Sequence, residues 1–173
     1  VFFRALPYQN ASRLVDLNER APKWGLDFTS VNFTDFDTWR KSVRTFEAMG
    51  LYANAGFNLS DDHGSERVEG QEVTYDLPRA LGVTPVLGRT FRADEDVPNG
   101  PNVVMLGYGL WQDRFGGASD VIGKTVRLGS APYTVVGVLP PNVTLNGPSK
   151  LWVPLRGDPK ETSQSYRYEG VGR

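Results

Sequence analysis

Polar and apolar positions change their period several times along this chain, and each change marks an element. Over Arg13 to Arg20, RLVDLNER, apolar residues fall on both sides of an alternating pattern, which predicts a strand. After Pro22 and Gly25 the period lengthens, and Phe36, Trp39, Val43 and Phe46 recur at spacings of 3, 4 and 3. That is one face of an amphipathic helix. Thr34 offers a capping hydroxyl, Asp35 and Asp37 suit the positive N-terminal end, and Gly50 suits the left-handed residue that closes a helix. The predicted helix therefore runs from about Thr34 to Met49. From Leu51 the period falls to two, with Leu51, Ala53, Ala55, Phe57 and Leu59 on one face. Asp61-Asp62-His63-Gly64 is a turn, and Glu66 to Thr74 returns from it as the second strand of a hairpin packed on the helix.

Further on, Tyr75 to Gly82, YDLPRALG, reads as a short helix closed by its glycine, followed by a turn-rich connection to Asn102. Val103 to Leu106 is a short apolar strand, and GYGLWQDRFGG gives one or two helical turns ending on Gly116-Gly117. KTVRLG and PYTVVGVLP, joined through Gly129-Ser130, form a second hairpin, and Lys150 to Leu155 is the last strand expected. The polar tail after Gly157 has no visible partner and is expected to be loose.

Composition narrows the function. A length of 173 residues fits one domain, and 39% hydrophobic residues are enough to bury a core. The net charge of −1 gives no field that would gather phosphates, so nucleic acid is a poor partner. Without cysteine there is no disulfide, thiolate ligand or cysteine nucleophile, and His63 is the sole imidazole. The longest uncharged stretch, Leu128 to Ser149, contains Pro132, Pro140, Pro141 and Pro148 and does not read as a membrane helix. A start at Val1 and a finish on Gly172-Arg173 read as the cut ends of a longer protein.

Four motifs invite chemistry. Ala118 to Thr125, ASDVIGKT, imitates a phosphate loop, but Val121 and Ile122 fill it and a hairpin follows where a helix should. His63, beside Asp62, sits in an exposed turn with no nucleophile signature elsewhere, so a solvated turn residue is the better account. Asp94-Glu95-Asp96 suggests a calcium loop, yet Pro98 takes a ligand place and no closing glutamate follows; a solvated acidic turn is expected. Phe36, Trp39, Phe46 and Phe57 read as core rather than ligand groove, as do Trp111 and Phe115, and the N-x-S/T sites at Asn10, Asn32, Asn58 and Asn142 matter only where glycosylation occurs. No catalytic, cofactor-binding or metal-binding residue is assigned.

Seven segments, in order, resemble one family. They are LPYQNASRLVDL at Leu6 to Leu17, SVNFTDFDTWR at Ser30 to Arg40, TFEAMGLY at Thr45 to Tyr52, LGVTPVLGRTFRADED at Leu81 to Asp96, NVVMLGYGLWQDRFGG at Asn102 to Gly117, VIGKTVRLGSAPYTVVGVLPP at Val121 to Pro141, and LWVPL at Leu151 to Leu155. Together they resemble the MacB-like periplasmic core domain of bacterial ABC transporter permeases, especially the duplicated FtsX-like permeases of acidobacteria. The resemblance implies an α+β, two-lobed domain with β-hairpins packed on short helices, here cut short at its C-terminal end. Residues to about Gly82 would form the first part of a membrane-proximal lobe, about Val83 to Leu155 an inserted lobe, and 156–173 the start of the return to the first lobe. A hinge is expected near Gly82 and Gly88, and the missing continuation implies an unpaired sheet edge. The implied partners are a separate cytoplasmic ABC ATPase acting through the parent permease, a periplasmic adaptor protein, and the membrane through flanking helices. The implied place is the periplasmic face of the bacterial inner membrane, with a non-catalytic role in export. The alternatives are a periplasmic ligand- or protein-binding module and a small hydrolase built on Asp62 and His63 or on the acidic turn Asp94-Glu95-Asp96.

Overall fold

The computed structural model describes residues 8, 10–21, 25–147, 149–160 and 167–173. The segment read as one strand from Arg13 to Arg20 is two, divided at the exposed Asn18. β1 (Val15–Leu17) joins the main sheet, while β2 (Glu19–Ala21) pairs antiparallel with β3 (Leu26–Thr29) in a sheet of their own.

α1 (Phe33–Ser42) is shorter than its apolar spacing predicts. Its cap is Asn32 rather than Thr34: the Asp35 N–H donates to Asn32 Oδ1 at 2.9 Å, and Asn32 Nδ2 donates back to Asp35 Oδ2 at 2.7 Å. Val43 takes extended angles and stops the helix, so Phe46 reaches the core from a loop. Gly50 is no cap. It lies inside β4 (Met49–Asp61), where a Cβ would stand 2.5 Å from the Leu77 Cα, so it is glycine because two backbones approach there.

β4 and β5 (Gly64–Val73) form the expected hairpin, with Asp61 paired to Gly64 across the turn. α2 (Leu77–Leu81) ends as expected on Gly82 in the left-handed region, φ 69°. The connection beyond it contains one short strand, β6 (Leu87–Gly88). β7 (Val103–Leu106), α3 (Tyr108–Phe115) with its left-handed Gly116, and the hairpin of β8 (Thr125–Leu128) and β9 (Ala131–Val138) stand where their patterns place them. β10 (Leu151–Pro154) is buried along its whole length, but it is not the last strand. The tail returns as β11 (Glu169–Gly172), between β1 and β4, with Val15 opposite Gly172 and Gly172 opposite Met49.

The sheet runs β1-β11-β4-β5-β10-β7-β9-β6, and β8 pairs with both β9 and β4. Those pairings close a ring through β4, β5, β10, β7, β9 and β8. One core cluster takes residues from every strand of it: Leu59, Val68, Leu151, Val104, Val135 and Val126. Ring closure leaves these strands few free edges. The outer face carries a second cluster around Trp152, Met105, Leu77 and Leu81, over which α2 and the connection to Phe91 pack. Trp152 is fully buried and its Nε1–H donates to Gln71 Oε1 at 3.0 Å. A third cluster gathers Val31, Phe33, Phe36, Met49, Leu51, Leu155 and Tyr168 under α1. No described helix is long and apolar enough to cross a membrane.

Candidate functional site

The acidic turn Asp94-Glu95-Asp96 departs most from its sequence reading: Asp94 is exposed, but Glu95 and Asp96 are buried. Glu95 takes both terminal nitrogens of Arg89, at 2.9 and 2.6 Å, and the Arg92 N–H at 2.8 Å. Burial alone would raise its carboxyl, but those donors hold it below the ordinary carboxylate range. Among the described contacts no cation is hydrogen-bonded to Asp96. Its Oδ2 accepts the Tyr75 N–H at 2.9 Å and its Oδ1 the Arg156 N–H at 2.7 Å. It thereby ties together the start of α2 and the chain leaving β10. Burial pushes its carboxyl up to about 6 against the pull of those two N–H groups, and the neighbouring Asp76 charge adds to the rise.

Around this tie several polar groups are strained or unmatched. Asp76 Oδ1 is buried with no hydrogen-bond partner, as is Arg156 Nε. Arg156 stands in the left-handed region at φ 55°, with its terminal nitrogens on Asn102 Oδ1 at 3.0 Å and the Pro101 carbonyl at 2.5 Å. From α1, the Arg40 guanidinium lies 5.9 Å from the Tyr75 ring centroid and 5.6 Å from that of Phe36, while paired to Asp37 at 2.8 Å.

At the hairpin tip His63 packs edge-on against Phe115, centroids 5.8 Å apart. Its N–H donates to Asp61 Oδ1 at 2.7 Å. Arg114 clamps Asp61 through Nε and Nη2, at 2.8 and 2.9 Å, and reaches Glu66 at 3.2 Å. Burial alone would raise the Asp61 carboxyl, yet Arg114 and the His63 N–H keep it below its ordinary value. Among the described contacts the His63 ring meets Phe115, its backbone N–H meets Asp61, and no hydrogen bond joins the imidazole to Asp62.

A polar hollow of about 310 Å³ lies beside the tip, among His63, Glu66, Asp113, Arg114 and Lys150. It shares Leu110, Asp113 and Lys150 with a second hollow of about 380 Å³, between α3 and the segment after β9, lined also by Tyr108, Pro140 and Pro141. Ser149 Oγ, in its wall, is buried without a partner.

The phosphate-loop imitation has no free cradle. The Gly123 N–H donates to the Val135 carbonyl at 2.8 Å, the Lys124 N–H to the Val121 carbonyl at 3.1 Å, and Lys124 Nζ pairs with Asp120 at 3.0 Å. The Gly82 N–H donates to the Arg79 carbonyl, and Gly88 stands opposite Gly137 of β9 in the β6–β9 pairing. Phe36 and Phe46 pack in the cluster under α1, and Phe57, Trp111 and Phe115 flank the ring core.

The sequence profile described as the MacB-like periplasmic core domain matches residues 4–170. No curated protein sequence matches the chain. Among solved structures, a permease-protein domain from Porphyromonas gingivalis superposes with a TM-score of 0.71 at 18% identity, covering 96% of this chain and 76% of that one. The extracellular domain of the noncanonic ABC-type transporter YknZ from Gram-positive bacteria gives 0.64 at 17%, covering 92% of this chain and 82% of its own. The periplasmic region of MacB from Actinobacillus actinomycetemcomitans gives 0.63 at 17%, covering 92% and 73%. At such identities the structures speak for the fold, and the profile, matched over nearly the whole chain, speaks for the family. The chain belongs to the family of MacB-like periplasmic core domains.

Proposed function

We propose that this domain is a non-catalytic part of an export permease that relays movement between the membrane and the periplasm, driven by a separate cytoplasmic ATPase. The observation that carries the reading is the meeting of distant chain segments at one place. Val15 pairs with Gly172, Arg13 reaches Glu47 at 3.2 Å, and the Glu47 N–H donates to the Arg173 carbonyl at 2.6 Å. These ladders join β1 through β11 to β4, so a displacement of one strand is passed to the others, and that continuity supports a relay. Within the proposal, β1, β4 and β11 form the membrane-proximal part, residues about 83–155 the inserted part, and 156–173 the return. Placement at the periplasmic face of the inner membrane and contact with an adaptor protein belong to the same reading.

The test is to purify the parent permease with its native complement and assay ATP turnover. Co-purification of a separate nucleotide-binding subunit that accounts for the hydrolysis supports the proposal. ATP hydrolysis by this chain alone, lost on Lys124→Ala, overturns it. A second reading, a ligand-binding module, draws on the hollow of about 380 Å³ and the unpartnered Ser149 hydroxyl in its wall. Protection of Tyr108 and Lys150 from chemical labelling by one substrate class, and not by others, would favour it.

A further inference from the structure

α3 begins without a cap. Gly107 at its head has no side chain to accept a first-turn N–H, no acid stands in that turn, and the Tyr108, Gly109 and Leu110 N–H groups donate to nothing among the described contacts. Three unmet donors and the helix dipole leave this end positive. Both glycines keep it bare. At Gly107 a Cβ would strike the Ser149 carbonyl, so the chain entering β10 bars the side chains that usually cap a helix. At Gly109 a Cβ would meet nothing within 4 Å, so the space beside the first turn is open.

That entering chain also supplies a cation and a hydroxyl. The Gly107 N–H donates to the Lys150 carbonyl at 2.8 Å, which fixes the Lys150 backbone beside the helix start. The Lys150 ammonium is half exposed, and its described ion pair, to Glu66, is long at 3.9 Å. Ser149 Oγ is buried with no hydrogen-bond partner, which costs free energy until a partner arrives. All of these residues except Gly107 line the hollow of about 380 Å³, with Leu139, Pro140 and Val143 in the rest of its wall. Asp113 is the one acid among its lining residues, and it lies more than one turn along α3 from Tyr108.

We propose that this hollow is an anion site: an oxyanion headgroup, carboxylate or phosphate, sits on the first-turn N–H groups of α3, Lys150 and the Ser149 hydroxyl, with a short apolar body along Leu139, Pro140 and Val143. It rests on the ligand-binding reading above and deepens it by naming the chemistry of the ligand. The N–H groups and the hydroxyl give charge-assisted hydrogen bonds, and Lys150 adds an attraction that weakens with salt. The volume suits a small molecule. A neutral ligand with the same apolar body leaves the ammonium and the helix end unmatched, so the site discriminates against it.

Amide NMR of the whole chain tests this, by titration with octanoate, octyl phosphate and neutral octyl glucoside below their micelle concentrations. The Tyr108, Gly109 and Leu110 amide protons are expected to move downfield and saturate with an anionic probe, and to stay in place with octyl glucoside. A response to octanoate alone identifies a carboxylate ligand, and one to octyl phosphate alone a phosphate headgroup. Gly109→Asp puts an acid where there is room for it and where the dipole favours it, so the fold is kept while the new carboxylate takes the anion's place. Binding is expected to vanish in that variant, and Lys150→Gln is expected to weaken it about 5-fold, less as salt is added. Unchanged affinity in Gly109→Asp overturns the site. Octyl glucoside binding as tightly as the anions overturns the anion site and leaves the ligand-binding reading standing; no response to any probe overturns both.

Discussion

Asp61 at the hairpin tip has an enclosed side chain and Asp96 at the α2 junction is buried, yet their carboxyls shift in opposite directions. The difference is the donor. Asp61 is gripped by two nitrogens of one guanidinium, a charged fork matched to its shape, whereas Asp96 has only two backbone N–H groups and an acid for a neighbour. Depth of burial alone does not set the behaviour of a buried acid. A bonded countercharge lowers the acid at the tip; burial without one raises the acid at the junction.

The largest break in this comparison is Arg114→Ala, which strands Asp61. It is expected to cost about 3–5 kcal/mol at pH 7 in urea unfolding. Because the Asp61 carboxyl is lowered, its contribution is present above the ordinary carboxylate range and fades as pH falls through its folded value, so wild type and variant should converge in acid. An unshifted midpoint at pH 7 would remove the tip from the comparison. Asp96→Asn comes next. A raised carboxyl contributes stability in acid that is lost as pH climbs from about 4 to about 6, up to about 3 kcal/mol for this group. The wild-type minus variant difference should slope downward across that window, and a level difference refutes the opposite signs. His63→Ala removes the edge contact to Phe115 while the backbone N–H to Asp61 survives, so thermal unfolding should register a loss of only about 1 kcal/mol. Lys124→Ala breaks an ion pair whose partners are 48% and 70% exposed. It should change stability by less than about 0.5 kcal/mol, calibrating what an unburied pair is worth.

The patterned parts of the chain were legible. Alternation from Leu51 and the return from Asp61-Asp62-His63-Gly64 located the first hairpin, Gly82 and Gly116 closed their helices, and β7 to β9 stood where the apolar runs put them. The failures share a cause: they depend on residues distant in sequence. Val43 and Phe46 keep helical spacing after the helix has ended, because Phe46 is wanted against Gly172. Gly50 looked like a cap and is instead dictated by Leu77. The polar tail hid a buried strand, since Glu169 to Gly172 have no apolar run and draw burial from β1 and β4. Likewise nothing local in RADEDVP tells that Asp96 will meet N–H groups at Tyr75 and Arg156; its two like-charged neighbours argue for solvent.

The insertion of β11 between β1 and β4 also governs how the molecule is made. Val15 must wait for Gly172, 157 positions later (172 − 15), before its ladder closes. Until then a newly synthesised chain offers the bare margin of β4 to any neighbour, while the β4–β5 and β8–β9 hairpins, being local, already have their partners. Such a chain should gain its hairpins quickly and its completed sheet slowly, and should be most prone to aggregation during that interval.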